Sequence, residues 1–318
     1  MEKNLFIMKA INNFFLFLVA TLTIVCSSCS NDASLITESP NTEVVTRNVG
    51  VKTPTLTAYV ETNDVNPLNA GEYYFTGTNP QEQVIERLIL FASNIRGTSS
   101  TVELYHNNNQ SYILNHASTL IAPLQAKGIK VMLGLLGDHT GIGFANLTDT
   151  QIDDFALAIK NCINTYGLDG VDFDDEYAEY GKISGTPSPS GAIYGKLIQK
   201  VRELLPDKLI TAFDYGYTDF DQATLDALDY MWPNFGCNAN PPSGLPNSKW
   251  AKLSMHYTDY YPSQIVVQNC ANSYNGYGAI MSFNLRETNC STRMNWFSSR
   301  VWGGKTVSWT GTVHLKNY

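Results

Sequence analysis

From residue 53 onward, short apolar runs alternate with segments whose apolar positions recur every three or four residues. "PTLTAYV" and "ERLILFAS" read as strands, and "SYILNHASTLIAPLQAKG" has helical spacing with Gly128 suited to its end. "IKVMLGLLG" is apolar throughout, the pattern of a strand covered on both faces. The helix predicted next, Asp149 to Tyr166, has Thr148 as N-cap and Gln151 three residues later, a capping box. Ile152, Phe155, Ile159, Ile163 and Tyr166 form its buried stripe, and Gly167 closes it. "LDGVDFD" follows as a strand and "GAIYGKLIQKVRELL" as a helix stopped by Pro206. "KLITAFDY", "DALDYMW", "SQIVVQN" and "GAIMSFN" read as further strands.

Strand and helix thus alternate through about eight units, which predicts a parallel sheet closed into a single-domain (β/α)8 TIM barrel over residues 53–318. An open doubly wound sheet competes, but no glycine-rich phosphate loop follows any strand. The last segment, "KTVSWTGTVHLKNY", fits either a final strand or an accessory flap.

The N-terminus follows another logic. Lys3 and Lys9 precede the apolar run "FFLFLVATLTIV", too short for a permanent span, which ends in "CSSCSND". Residues 1–28 therefore read as a signal peptide. Small residues ahead of Cys29 resemble a bacterial lipoprotein cleavage site, with Cys29 the lipidated residue and Cys26 the weaker choice. A secretory signal with incidental cysteines is the plainer alternative. Residues 29–52, polar and without period, read as a tether. Asp32 is not directly after Cys29, so an outer-membrane lipoprotein is expected, held at the membrane by lipid alone, its exposed face left open.

Composition narrows the partners. Hydrophobic residues make up 43% and charged residues 16%, enough for a sizeable core, while a net charge of −8 argues against nucleic acid. Cys162, Cys237, Cys270 and Cys290 match no zinc spacing. A Cys237–Cys270 disulfide and isolated buried thiols are both open in an oxidising compartment. Neither metal nor cofactor is expected, and the chain is read as a monomer.

The chemistry concentrates in "LDGVDFDDEYAEYG", where Asp169, Asp172, Asp174, Asp175 and Glu176 crowd into eight residues. On a strand, Val171 and Phe173 face one way and Asp172, Asp174 and Glu176 the other. Outward barrel positions pack on helices, so the three acids point inward, towards the C-terminal rim where barrel active sites lie. Neighbours on one face are about 6 to 7 Å apart, so in an apolar interior at least one carboxyl keeps its proton. A neutral glutamic acid at the rim is a proton donor, as protonation of a glycosidic oxygen requires. An exposed acidic loop is disfavoured by Val171 and Phe173. A calcium loop fails because the positions needing Gly and an acid, counted from Asp172, hold Tyr177 and Ile183.

"DGVDFDDE" fits the D-G-x-D-x-D-x-E signature of family 18 glycoside hydrolases at Asp169, Gly170, Asp172, Asp174 and Glu176. The extension "YAEYG", with "AYVETNDVNPLNAG", "IAPLQAKGIKVMLGLLGDHTGIGFAN" and "MSFNL", resembles the endoglycosidase H branch, endo-β-N-acetylglucosaminidases, across most of residues 54–290. The resemblance implies cleavage between the two N-acetylglucosamines of the N-glycan core, with N-linked glycans or glycoproteins as partners. It also implies retention without an enzyme nucleophile, the 2-acetamido oxygen of the substrate attacking the anomeric carbon. Carried over, Glu176 is the general acid and later base, Asp174 binds the acetamido N–H, and Asp172 shares a proton with Asp174. Asp169, out of phase with the other three, is structural.

Other strand ends supply candidate substrate contacts: Phe91 and Asn94, Asp138 and His139, Asp214 and Tyr215, Trp232, Asn234 and Phe235, Phe283 and Asn284. One departs from the branch, where tyrosines after the sixth strand hold the acetamido oxygen. Here "YMWPNFGC" puts Phe235 there, and losing one such bond costs on the order of 10²-fold in rate. Asn234 or Tyr215 is a candidate substitute. Two rival functions are a chitinase of the same family, against which the "DDEYAEYG" similarity argues, and a surface glycan-binding lipoprotein without turnover, against which the retained Glu176 argues.

Overall fold

The apolar runs emerge as eight strands: β1 Thr55–Glu61, β2 Ile85–Gly97, β3 Lys130–Leu136, β4 Gly170–Asp174, β5 Leu209–Phe213, β6 Tyr230–Trp232, β7 Ala251–His256 and β8 Ala279–Phe283. They pair in parallel in the order β6-β5-β4-β3-β2-β1-β8-β7. A single parallel bridge, Met231 to Trp250, joins the two ends and closes the barrel. The computed structural model describes residues 52–318 except Pro80 and Tyr260. The expected signal peptide, Cys26, Cys29 and all of the expected tether but Lys52 lie outside the described residues. Among the described residues no helix is long and apolar enough to cross a membrane.

Alternation sorts the strand residues into two cores. Tyr59, Ile89, Met132, Trp232 and Met281 fill the barrel interior. Leu88, Val171 and Phe173 point outward, sharing a second apolar layer with Ile159, Tyr194 and Leu197 of the surrounding helices. Phe173 meets Phe144 edge-on at 5.3 Å, and both are fully buried. The interior also buries Arg87 near the N-terminal end of the barrel. Its guanidinium donates to the hydroxyls of Thr55 and Thr57 and lies 3.9 Å from the ring centre of Tyr230.

The helix over Asp149–Tyr166 has the expected capping box, and Gly167 takes the left-handed conformation at its end. The predicted helix after β2 is instead three short pieces, Asn108–Asn115, Ala117–Leu120 and Ala122–Ala126. Pro123 lies in the first turn of the last piece, where its missing N–H disrupts nothing in that piece but cannot continue a helix from before it.

Strand seven is the main correction. "SQIVVQN" forms a helix, Gln264–Ala271, and the true β7 is "AKLSMH". The helix needs only Val267, Cys270 and Ala271 buried, and Ile265 and Val266 face solvent. In β7 the ammonium of Lys252 is buried yet satisfied, donating to the carbonyl of Ser273 at 2.5 Å.

That helix is tied back by the Cys237–Cys270 disulfide, with Cα atoms 5.8 Å apart. Cys237 belongs to a two-residue strand, Gly236–Cys237, running antiparallel beside β7. Cys162 and Cys290 are free and buried. The final segment is a strand in part: Val307–Trp309 pairs antiparallel with Tyr73–Phe75. Beyond it, the hydroxyl of Thr310 donates to Glu72 at 2.5 Å and the ring of Tyr318 stacks on Tyr112 at 4.4 Å.

Candidate active site

At the C-terminal mouth of the barrel lies a cavity of about 480 Å³. The carboxyls of Asp174 and Glu176 open into it, facing a wall of Phe91, Phe213, Phe235 and Phe283, with Tyr59 beneath. Asp174 is the last residue of β4, while Glu176 stands in the turn just past the strand. The turn keeps the inward alternation. The Asp174 carboxylate accepts the backbone N–H of Glu176 at 3.2 Å.

Asp172 lies one step deeper, fully buried, facing Thr211 of β5 in register. Its oxygens accept from the Thr211 hydroxyl at 2.7 Å and the Tyr59 hydroxyl at 2.6 Å. Tyr59 in turn accepts from the indole N–H of Trp232 at 2.7 Å. Asp172 thus bonds to Tyr59 and Thr211 rather than to Asp174, and its influence on Asp174 is through charge.

Burial pushes the Asp172 carboxyl up to about 6, against those two hydrogen bonds. Asp174 is driven well above the usual carboxylate range, first by burial and then by the charges of Glu176 and Asp172. Burial also raises Glu176. The cluster therefore holds protons at a pH where exposed acids have lost theirs. Asp169 is structural as expected, accepting the backbone N–H of Val131 at 2.9 Å and the side-chain amide of Gln125 at 2.9 Å.

A close backbone approach fixes the turn. A Cβ on Gly137 would stand 2.5 Å from the Glu176 carbonyl oxygen, so only glycine lets the loop after β3 approach this near. Gly137, His139 and Gly141 then donate backbone hydrogen bonds to Glu176, Tyr177 and Ala178 in turn.

Of the other candidates, the cavity gathers Phe91, Asn234, Phe235 and Phe283. Tyr215 and Trp232 lie outside its lining: Tyr215 is exposed and stacks on Phe213, and Trp232 is buried below. Asn94 donates to the Gly137 carbonyl at 2.8 Å, and Asp138 pairs with Arg96. His139 turns outward to Glu179 at 2.6 Å. Asn284 bonds Thr258 and Arg286. Asp214 lines a neighbouring groove of about 660 Å³ that shares Asn234 and Phe235 with the cavity.

The sequence reading missed Glu61, Tyr177, His256 and Asp259, all of which line the cavity. His256 was hidden by the misplaced seventh strand, whose true end it occupies. Its Nδ1 accepts the backbone N–H of Asp259 at 3.2 Å, which leaves the proton of the neutral ring on Nε2. Burial favours that neutral ring. Its ring lies edge-on to Phe235 at 5.1 Å. Among the described residues no group of three or more His, Cys, Asp or Glu is arranged to hold a metal ion.

Stacked carboxyls at a barrel mouth walled by aromatic rings define a glycosidase-type site. Known proteins agree. An endo-β-N-acetylglucosaminidase of Flavobacterium sp. (strain SK1022) is 37% identical over 259 residues, covering 79% of this chain and 81% of that protein. Endo-β-N-acetylglucosaminidase F1 of Elizabethkingia meningoseptica is 30% identical over 292 residues, 86% of this chain and 84% of the relative. This chain belongs to the family 18 endo-β-N-acetylglucosaminidases and is a glycoside hydrolase.

EndoBT-3987 of Bacteroides thetaiotamicron, solved with a Man9GlcNAc2Asn substrate, superposes with a TM-score of 0.73 at 26% identity, covering 84% of this chain and 70% of that one. Its complex with Man5GlcNAc product gives 0.72 at 27%, with this chain spanning 65% of that chain, just under two thirds. The chitinase RmChi1 of Rhizomucor miehei, at 14% identity and a TM-score of 0.57, shares the barrel fold. No protein-family model matches the chain.

Proposed function

We propose that this protein hydrolyses the β-1,4 bond between the two N-acetylglucosamines of the N-glycan core, with Glu176 and Asp174 as its working pair. The observation that carries this is their joint access to one aromatic-walled cavity, over a buried Asp172.

Glu176, whose hold on its proton burial strengthens, gives that proton to the glycosidic oxygen as the bond to the anomeric carbon breaks. The acetamido oxygen of the same sugar forms the new bond at that carbon, giving an oxazolinium ion. Its positive charge favours the ionised form of Asp174, which accepts the acetamido N–H and orients the group. Glu176, now a carboxylate, takes a proton from water as the water opens the ring, so configuration is retained. Asp172, clamped by Tyr59 and Thr211, stays fixed beneath Asp174.

The test is incubation with a high-mannose glycoprotein, read by mass. One N-acetylglucosamine is left per glycosylated site. Glu176→Gln abolishes that cleavage with glycan affinity largely kept, and Asp174→Asn also loses rate. Cleavage of chitin oligomers alone, or glycan bound but never released by the parent protein, would overturn the reading.

A further inference from the structure

One acid of the crowded run has no part in this chemistry and no purely structural bond to the strand start. Asp175, the first residue past β4, is 5% exposed and does not line the cavity. One of its oxygens accepts the hydroxyl of Tyr180 at 2.5 Å. That hydroxyl accepts the backbone N–H of Ala145 at 3.0 Å, in the loop after β3. The other oxygen lies against Gly216, in the loop after β5, where a Cβ would stand 3.1 Å away. The Tyr180 ring meets Tyr217 of that loop edge-on at 5.4 Å. Three loops therefore converge on one buried carboxyl and one phenol.

Between them runs the turn that carries Glu176. Tyr177 and Glu179 both adopt left-handed backbone, φ 58° and 53°, which residues with side chains hold only where the surroundings impose it. Backbone bonds from Gly137, His139 and Gly141 grip one edge of the turn. The Asp175–Tyr180 pair grips its two ends, spanning the left-handed residues.

We propose that Asp175 and Tyr180 form a positioning strut that holds the Glu176 carboxyl aimed at the glycosidic oxygen, without touching substrate. Neither residue lines the cavity. This rests on the reading of Glu176 as the acid. Burial raises the Asp175 carboxyl to about 7, opposed first by the Tyr180 hydroxyl and then by the backbone N–H groups of Phe144 and Tyr217. The strut acts by geometry, and a misplacement on the order of 1 Å costs about 10²-fold in rate.

The experiment compares Tyr180→Phe, Asp175→Asn and the double variant in steady-state hydrolysis of the same glycoprotein, with melting temperature recorded alongside. Tyr180→Phe keeps the ring and removes only the hydroxyl. The expected result is a kcat loss on the order of 10- to 100-fold with KM within about twofold, in protein that still melts cooperatively. The double variant is no slower than the slower single one, because both remove the same link. A folded Tyr180→Phe protein with parental kcat, while Glu176→Gln is inactive, would sink the strut alone. So would losses that multiply in the double variant, a raised KM with kcat kept, or activity falling only as the folded fraction falls. An active Glu176→Gln would instead remove the reading on which the strut depends.

Discussion

Phe235 presents an aromatic face to the cavity with no group to donate. Its ring is flanked by His256 and by Phe283, centred 6.0 Å away. Phe235→Tyr adds a hydroxyl where the related branch has one. The expected outcome is a kcat raised on the order of 10-fold, less than the roughly 10²-fold of a preorganised oxyanion donor because the added hydroxyl enters a wall shaped for a phenyl ring, measured by released glycan. An unchanged kcat would mean that the wall already supplies the donor. Asp172 yields a second prediction. Its folded pKa, about 6, lies above the ordinary value near 4. Between those values the unfolded chain has released a proton that the folded chain still holds, so stability falls as pH rises through that window and then levels. The melting temperature of Asp172→Asn should accordingly drop less than the parent's from about pH 4 to about pH 6. An equal drop would show that other carboxyls dominate. At this scale the acids were legible in the sequence, because a period of two on a barrel strand dictates which side chains share a face. The hydrogen bonds of Asp172 were not: Tyr59 lies 113 residues away in the chain, and its partnership exists only once the barrel closes.

Elements whose ends carry side-chain bonds could be read closely. The Thr148 capping box sets the start of its helix, and the Thr148 N–H donates to the Gln151 side-chain oxygen at 3.0 Å. Thr148→Ala should lower stability by about 1 kcal/mol, read by denaturant midpoint at unchanged slope. No shift would mean that Gln151, which also donates to the carbonyls of Thr98 and Thr101, carries the cap by itself. Strand seven was lost for the opposite reason. "SQIVVQN" has β-branched residues that suggest a strand, yet its burial follows helical spacing; "AKLSMH" looks polar because it holds Lys252 and Ser254, both buried, Lys252 on a tertiary partner no local pattern shows. With that strand went His256 and Asp259. Asp138, His139 and Asn94 sit at strand ends legible in the sequence, but their engagement by a neighbouring arginine, glutamate and backbone carbonyl is a tertiary matter that no local pattern shows.

For the molecule as a whole, the wall is uneven. β4 is flanked by continuous ladders to β3 and β5, whereas β6 is three residues long and meets β7 at one bridge. The only disulfide among the described residues falls beside that junction. Amide hydrogen exchange should therefore be faster in residues 230–232 than in residues 170–174, and equal protection would argue against a weak junction. The barrel has, in effect, a hem. Heat or denaturant would part it alongside Phe235 and Asn234, with the one sulfur stitch holding the β7 side together. The acids, two strands in from the seam and behind β5, would keep their shape after it parts.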